Sequence, residues 1–231
     1  STWDIYCQNV ANNGRRMKIL NLYACLGGNR YKWDEVTDIE VTAVELDSEL
    51  ARLYQERFPN DTVIVADAHQ YLLDNYKEFD FIWSSPPCPT HSKVRHSQKN
   101  RQTFVDKYPD LKLYEEILFL DNYFNGKYCV ENVIPFYTPL IPAKKRGRHL
   151  YWANFNLPNS LNDRKPPKNW IKSSSKPVEI FHKINLDSYK GKGRKDQIAC
   201  NLVDYEAGKT ILETAVGITR KQNINQLEMF N

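Results

Sequence analysis

From Met17 onward, short apolar segments of strand length alternate with segments of helical length, and this alternation constrains the fold more than any other feature. The segments with the character of strands are residues 18–24, 40–46, 62–66, 79–84, 127–130 and 149–155. Helices are predicted over residues 48–58, after residue 66, over 111–124 and over 207–217. Strands that alternate with helices predict an α/β fold with a doubly wound, mostly parallel sheet.

Two regions depart from this alternation. Residues 1–16 are polar and are predicted to be an N-terminal extension. Residues 156–199 are rich in Pro, Asn, Ser and Lys and are predicted to form a small irregular insert. The chain therefore divides into the extension, a main domain over 17–155, the insert, and a segment over 200–231 whose helix returns to the main domain before a polar tail.

Composition narrows the class of protein. Hydrophobic residues make up 41% and charged residues 26% of the chain, as in a soluble globular protein. No apolar run approaches the roughly 18 residues of a membrane span, and the N-terminus has no secretory signal. The five cysteines are an odd number without a CxxC pair, which argues against a disulfide framework and a structural zinc site. A cytoplasmic location and no bound metal are expected.

Positive charge is concentrated near the insert. Residues 151–195 contain ten Lys and Arg against three Asp and Glu, a local surplus of seven. Such a surface suits a polyanion, because Lys and Arg that neutralise phosphates supply most non-specific affinity for nucleic acids. A solvated basic loop explains the same composition, and the charge alone does not decide between the two.

Three motifs fall where predicted strands end, which is the edge where ligands bind in open α/β sheets. The first strand leads into the motif NLYACLGG, whose Gly27 and Gly28 allow a ligand to approach the backbone closely. Glu45 ends the second strand and suits ribose hydroxyls. Asp67 follows the third strand and can accept a hydrogen bond from an adenine amino group or cap a helix. In this order the three motifs predict a nucleoside-bearing cofactor.

The fourth predicted strand ends in the motif SSPPCPTHS, which contains Pro86, Pro87 and Cys88. The two prolines fix φ near about −65° and make the loop rigid. A lone cysteine is commonly a small buried hydrophobe. The rigid loop at a strand end instead favours a thiol that is presented into a cleft.

Two further motifs follow. Glu131 and Asn132 end the fifth predicted strand, beside the loop of Cys88. Arg146 and Arg148 lead into the sixth predicted strand, where a basic surface turn is the alternative interpretation.

Together these motifs resemble the DNA cytosine C5-methyltransferase family, in the short form common in phage genomes. The Pro-Pro-Cys loop, the Glu-Asn-Val triplet and the Arg-x-Arg turn stand in the same order as the catalytic motifs of that family. The resemblance covers roughly residues 17–155, with a fainter similarity at the motif ETAVGI. It implies a class I, Rossmann-like, S-adenosylmethionine-dependent methyltransferase, in which the insert recognises the target sequence.

The resemblance also implies roles for single residues. Cys88 would add to C6 of a flipped-out cytosine, and Glu131 would hold and protonate its N3/N4 edge. Asn132 would brace the Cys88 loop. Arg148, with Arg146, would contact O2 of the base and favour the thiolate form of Cys88.

The implied cofactor residues are Tyr23, Ala24, Cys25, Gly27, Gly28, Glu45, Leu46, Asp67, Ala68 and Pro86. The chain departs from the family pattern at three positions. Cys25 stands where glycine is usual, and Pro89 and Lys144 stand where glutamine is usual. The cofactor loop is therefore expected to have its own shape.

Double-stranded DNA is the expected partner of a monomeric enzyme, in a bacterial or phage-infected cell. The tail from Gln226 to Phe230 resembles peptides that dock into bacterial sliding clamps, although a frayed or packed C-terminus is the simpler interpretation. Three other functions stay open: methylation of RNA cytosine at C5, methylation of cytosine at N4, and DNA binding by a catalytically silent relative.

Overall fold

A computed structural model describes residues 14–92, 108–167 and 175–218. Within these ranges seven strands form one sheet, in the order β3-β2-β1-β4-β5-β7-β6. The strands are β1 (Met17–Leu22), β2 (Ile39–Glu45), β3 (Thr62–Val65), β4 (Phe81–Ser84), β5 (Lys127–Val133), β6 (Lys144–Arg146) and β7 (His149–Ala153). The predicted doubly wound α/β fold is confirmed.

The direction of the strands locates the site. Strands β1 to β5 pair in parallel, whereas β7 is antiparallel to β5 and β6 is antiparallel to β7. The order of the strands reverses at β1, which pairs with both β2 and β4. In sheets of this kind, the connections that leave the carboxyl ends of the strands at the reversal point surround a crevice.

The described helices are α1 (Ser48–Arg57), α2 (Ala68–Asn75), α3 (Lys112–Tyr123), α4 (Lys176–His182), α5 (Lys195–Cys200) and α6 (Tyr205–Ala215). On one face of the sheet, Trp33 and the apolar residues of α6 pack against β1, β2, β4 and β5. On the other face, residues of α2 and α3 pack against β1, β4 and β5. The central strands are therefore covered on both sides, which explains why β1 and β4 are almost entirely buried.

Several boundaries differ from the predicted ones. Asp47, not Ser48, caps α1, because its side chain accepts hydrogen bonds from the backbone N–H groups of Glu49 and Leu50. Strand β5 continues to Val133, so Glu131 lies within the strand. The basic segment that contains Arg146 forms the edge strand β6. Charged residues are well tolerated on such an edge.

The insert is more ordered than predicted, since it contains α4 and α5. Its apolar residues Val178, Leu186 and Ile198 form a cluster with Leu50 and Leu53 of α1. Burial of these side chains holds the insert on the main domain. The basic composition of the insert gave no indication of this apolar contact.

The ends of the chain are described only in part. Arg15, from the predicted extension, binds the carboxylate of Asp80 with distances of 2.9 and 3.1 Å, so this residue packs on the main domain. The predicted clamp motif at Gln226 and Phe230 lies outside the described residues. Among the helices that are described, none is both long and apolar enough to cross a membrane.

Candidate active site

A cavity of about 1010 Å³ lies at the carboxyl ends of the central strands. Six of the ten predicted cofactor residues line it: Tyr23, Glu45, Leu46, Asp67, Ala68 and Pro86. They come from the connections that follow β1, β2, β3 and β4. The structure therefore brings these six residues together around one space.

The other four predicted cofactor residues, Ala24, Cys25, Gly27 and Gly28, are not in that lining. Gly27 has a φ of +64°, and a Cβ there would lie 2.5 Å from the ring of Phe58. A Cβ on Gly28 would lie 2.6 Å from the carbonyl oxygen of Val203. In this structure both glycines thus permit close packing of the loop, and their contact with a cofactor stays a prediction.

Cys25 occupies the position where the resembling family usually has glycine, and its backbone explains that preference. Its φ is +47°, in the left-handed region. A residue with a Cβ is strained there by roughly 1–2 kcal/mol. The strain is offset by Glu45, whose carboxylate accepts hydrogen bonds from the N–H groups of Cys25 (2.8 Å) and Asp47 (2.9 Å).

The acidic residues of the cavity keep acceptor capacity for a ligand. Burial raises the pKa of Glu45, but a carboxylate has about four acceptor sites and its two backbone bonds leave room for ribose hydroxyls. Asp67 caps α2 through one oxygen, which accepts from the N–H of Gln70 at 2.9 Å. Since Asp67 also lines the cavity, it can cap the helix and meet an adenine amino group at once.

His91 is a cavity residue to which the sequence assigned no role. It is 1% exposed, and its Nδ1 lies 2.5 Å from the hydroxyl of Tyr137. Its Nε2 has no hydrogen-bond partner within the described residues, although the ring borders the cavity. A buried polar atom without a partner is costly, so a ligand with polar groups fits here.

The remaining lining supplies apolar and basic surface beside the acidic residues Asp47, Glu49 and Asp110. Leu46 is 69% exposed and faces the cavity together with Leu113, so the two can cover the faces of an adenine ring. Lys190 and Lys192 reach the cavity from the insert. With the acceptors Glu45 and Asp67, these residues fit S-adenosylmethionine.

The loop that carries Cys88 is fixed at both ends. The side chain of Asn132 donates a hydrogen bond to the carbonyl oxygen of Pro86 at 3.0 Å. The N–H groups of His91 and Ser92 donate to the carbonyl oxygen of Cys88 at 3.0 and 3.1 Å, so a tight turn follows the cysteine. Cys88 is partly buried beside the lining residues Pro86 and Pro87.

The electrostatic environment of Cys88 differs from the predicted one. Burial and then the negative charge of Glu131 raise the pKa of the Cys88 thiol to about 11. In the part of the chain that the structure describes, no arginine lowers it. Instead Arg148 donates to the carbonyl oxygen of Cys200 at 3.4 Å, and Arg146 donates to that of Pro158 at 2.5 Å. Among the described residues both arginines thus donate to backbone carbonyls beyond β7, and the stabilisation of the thiolate by Arg146 and Arg148 stays a prediction.

Glu131 connects the predicted catalytic groups. It is 6% exposed, and its Oε1 lies 3.5 Å from Nε2 of His149. Burial lowers the pKa of His149, so the ring is neutral near pH 7. The charge of Glu131 helps to raise the pKa of Cys88 and opposes the burial that lowers the pKa of Arg148. These three groups are thus close enough to interact electrostatically.

The sheet order, the covered faces and the cavity at the reversal point define a Rossmann-like fold with a site for a nucleoside-bearing ligand. The family model described as C-5 cytosine-specific DNA methylase matches residues 17–133. The chain belongs to this family. The resemblance that the motifs indicated is therefore confirmed, and S-adenosylmethionine is the cofactor of the family.

Solved structures give more distant similarities. A DNMT2 variant from Spodoptera frugiperda is 24% identical, with a TM-score of 0.36 over 51% of this chain and 35% of that chain. A methyltransferase from Agrobacterium tumefaciens is 15% identical, with a TM-score of 0.39 over 59% and 45%. The methyltransferase EhMeth from Entamoeba histolytica is 9% identical, with a TM-score of 0.47 over 87% and 98%. No curated protein sequence matches the chain.

Proposed function

We propose that this chain transfers a methyl group from S-adenosylmethionine to C5 of cytosine in DNA, through a covalent bond between Cys88 and C6 of the base. The observation that carries the proposal is the placement of Cys88. Its thiol interacts electrostatically with the buried carboxylate of Glu131, and the adjacent Pro86 and Pro87 line the cofactor cavity. A nucleophile, an acid and a cofactor space thus share one edge of the sheet.

The chemistry requires this set of groups. C5 of cytosine is a weak nucleophile, and addition of the Cys88 sulfur to C6 moves electron density to C5. Glu131 passes the proton that leaves the Cys88 thiol on to N3 while the C–S bond forms, which neutralises the developing charge. Bound S-adenosylmethionine supplies the electrophilic methyl group. Loss of the C5 proton to solvent then breaks the C–S bond, and the N3 proton returns through Glu131 to the Cys88 sulfur.

Other residues position the reacting groups. Asn132 holds the carbonyl of Pro86, so the loop keeps Cys88 at the carboxyl end of β4. The target base must leave the duplex to reach the thiol, at a cost of a few kcal/mol. The positive surplus near the insert favours DNA, because contacts with phosphates offset that cost. The family description, which names DNA, supports the same substrate.

The alternatives are weaker. An N4-cytosine methyltransferase of the Ser-Pro-Pro type has an aromatic residue where Cys88 stands, and a thiol cannot stack on a base. A silent DNA-binding relative has no need for a buried carboxylate beside a thiol. Methylation of RNA cytosine uses the same chemistry and is distinguished by experiment.

The test is covalent trapping on duplexes that contain 5-fluorocytosine, because fluorine at C5 blocks the final elimination. We expect an adduct that survives denaturing electrophoresis with the DNA duplex and S-adenosylmethionine. Cys88→Ala should give no adduct, whereas Cys200→Ala, which removes another partly buried thiol, should react like the wild type. An adduct with the RNA duplex alone would transfer the proposal to RNA. Binding of DNA without any adduct would overturn the mechanism.

A further inference from the structure

Glu116, on α3, is a fully buried carboxylate outside every motif of the sequence. Its Oε1 accepts a hydrogen bond from the hydroxyl of Tyr23 at 2.5 Å and lies 3.0 Å from Nδ1 of His69. Its Oε2 accepts from the hydroxyl of Ser84 at 2.6 Å. One buried carboxylate therefore has three side-chain partners.

The partners come from three separate connections at the edge of the sheet that carries the cavity. Tyr23 directly follows β1 and lines the cavity. His69 lies in the first turn of α2, next to the lining residue Ala68. Ser84 ends β4 and stands two residues before Pro86. Glu116 thus bonds to the connections that follow β1 and β3 and to the strand end that leads to Cys88.

Tyr23 shows why such a bond is needed. Its φ is +55°, which a residue with a Cβ adopts at a cost of roughly 1–2 kcal/mol. Strained backbone of this kind persists where the surroundings hold it in place. The hydrogen bond to Glu116 fixes the end of the Tyr23 side chain and so fixes the orientation of its ring at the cavity.

The charge of Glu116 requires a counter-ion, because an unpaired carboxylate in the interior is costly. His69 can supply it. The hydrogen bond with Glu116 raises the pKa of His69 and outweighs the opposing effect of burial. Two other charged groups face His69: Glu115, with Oε2 at 3.8 Å from Nε2, raises the pKa, and Lys112 lowers it.

We propose that Glu116 is a positioning residue for the cofactor: through Tyr23, His69 and Ser84 it sets the walls of the cavity and the strand end from which the Cys88 loop departs. The inference rests on the proposed function in one respect, namely that this cavity receives S-adenosylmethionine.

The first test is Glu116→Gln, with Glu115→Gln as the matched control. Glu115 precedes Glu116 on the same helix and also faces His69, but its side chain is 61% exposed. We expect Glu116→Gln to weaken binding of S-adenosylmethionine at least tenfold in calorimetry, and to raise KM for the cofactor more than it lowers kcat. Glu115→Gln should stay within about twofold of the wild type, since exposed ion pairs contribute little. A folded Glu116→Gln protein with normal affinity would overturn the proposal.

A second variant covers the case in which Glu116→Gln does not fold. Tyr23→Phe removes one donor and keeps the ring, so it should fold and bind the cofactor several-fold more weakly. Where Glu116→Gln does fold, the double variant should lose little more affinity than Glu116→Gln alone if Tyr23 acts through Glu116. Normal affinity of Tyr23→Phe would contradict the positioning role.

The pH dependence provides a readout that a purely structural role would not change. The pairing of protonated His69 with Glu116 is fully present below the unfolded pKa of about 6.5 and is lost as the pH rises through the raised folded pKa. Affinity for the cofactor should fall over that range, and His69→Asn, which keeps an N–H donor without a charge, should flatten the profile. Identical profiles for the two proteins would count against the inference. The calorimetric and pH measurements of binding omit DNA, whereas KM and kcat are measured with it. The binding data can therefore fail while the trapping experiment succeeds, and the reverse.

Discussion

The raised pKa of Cys88 leads to a measurable reactivity, and Glu131 is the residue to change. In the free protein, burial and the carboxylate of Glu131 raise this pKa from 9.0 to about 11. The thiol should therefore be protonated at neutral pH and react slowly with iodoacetamide. Glu131→Gln removes the charge but keeps the size of the side chain. We expect this variant to lower the pKa of Cys88 and to increase its rate of alkylation.

The size of the effect follows from the two values. A pKa that is two units higher reduces the thiolate fraction near pH 7.5 by about 100-fold. A more basic thiolate is intrinsically more nucleophilic, with a Brønsted coefficient of about 0.4–0.5, which restores six- to tenfold. Cys88 should thus react about tenfold more slowly than a cysteine in an unstructured peptide. Glu131→Gln should remove the part of this slowing that is due to the charge of Glu131. The part that is due to burial of Cys88 should remain.

The assay follows alkylation of Cys88 by mass spectrometry of its peptide between pH 7 and pH 10. In the wild type, the logarithm of the alkylation rate should rise linearly with pH over this range without a plateau. For a thiol with a pKa of 9, the same curve would level off within the range. In Glu131→Gln the bend should move to lower pH. Glu115→Gln, a neutralised carboxylate elsewhere, serves as the control and should match the wild type. A wild-type plateau below pH 9, or identical curves for wild type and Glu131→Gln, would refute the reasoning.

Three further predictions concern the loop, the glycine turn and the cofactor. Asn132→Ala removes the buried hydrogen bond to the carbonyl of Pro86. We expect this variant to lower the free energy of unfolding by about 1–3 kcal/mol and to slow covalent trapping more than it weakens cofactor binding. Equal effects on trapping and on cofactor binding would contradict the bracing role. Gly27→Ala introduces a clash at a positive φ, whereas Gly217→Ala meets open space at a positive φ. In chemical denaturation, Gly27→Ala should lower the free energy of unfolding by at least about 1 kcal/mol more than Gly217→Ala does. Equal losses of stability in the two variants would refute the packing role of Gly27. Glu45→Gln should weaken binding of S-adenosylmethionine about tenfold in calorimetry, because the amide has one acceptor oxygen where the carboxylate has two; unchanged affinity would exclude Glu45 from the cofactor site.

Features that depend on local pattern could be predicted from the sequence. The strands up to β4 and the helices between them follow from periodicity and from stop signals such as Pro59. The ends of parallel strands meet at one edge, so the grouping of Tyr23, Glu45 and Asp67 around a cavity follows from their positions after three strands.

Features that depend on distant partners could not be predicted. Glu116 and Tyr23 are 93 residues apart, and His91 and Tyr137 are 46 residues apart. In the sequence, Glu116 is one more charge on an amphipathic helix, and nothing local indicates that its turn of α3 faces the sheet. The direction of Arg148 is likewise decided by the packing of the C-terminal segment, which places the carbonyl of Cys200 within its reach.

The surroundings of Cys88 among the described residues bear on how the nucleophile is activated. In the described structure the thiol is protonated because it is buried and because Glu131 is negative. A cytosine held at its N3/N4 edge by Glu131 would donate a hydrogen bond from its N4 amino group to the carboxylate, and the negative charge that faces the sulfur would be partly neutralised. The same contact that recognises the base would then lower the pKa of Cys88. In the proposed mechanism thiolate formation would therefore be coupled to the arrival of the base, and Glu131→Gln would imitate half of that step without any substrate.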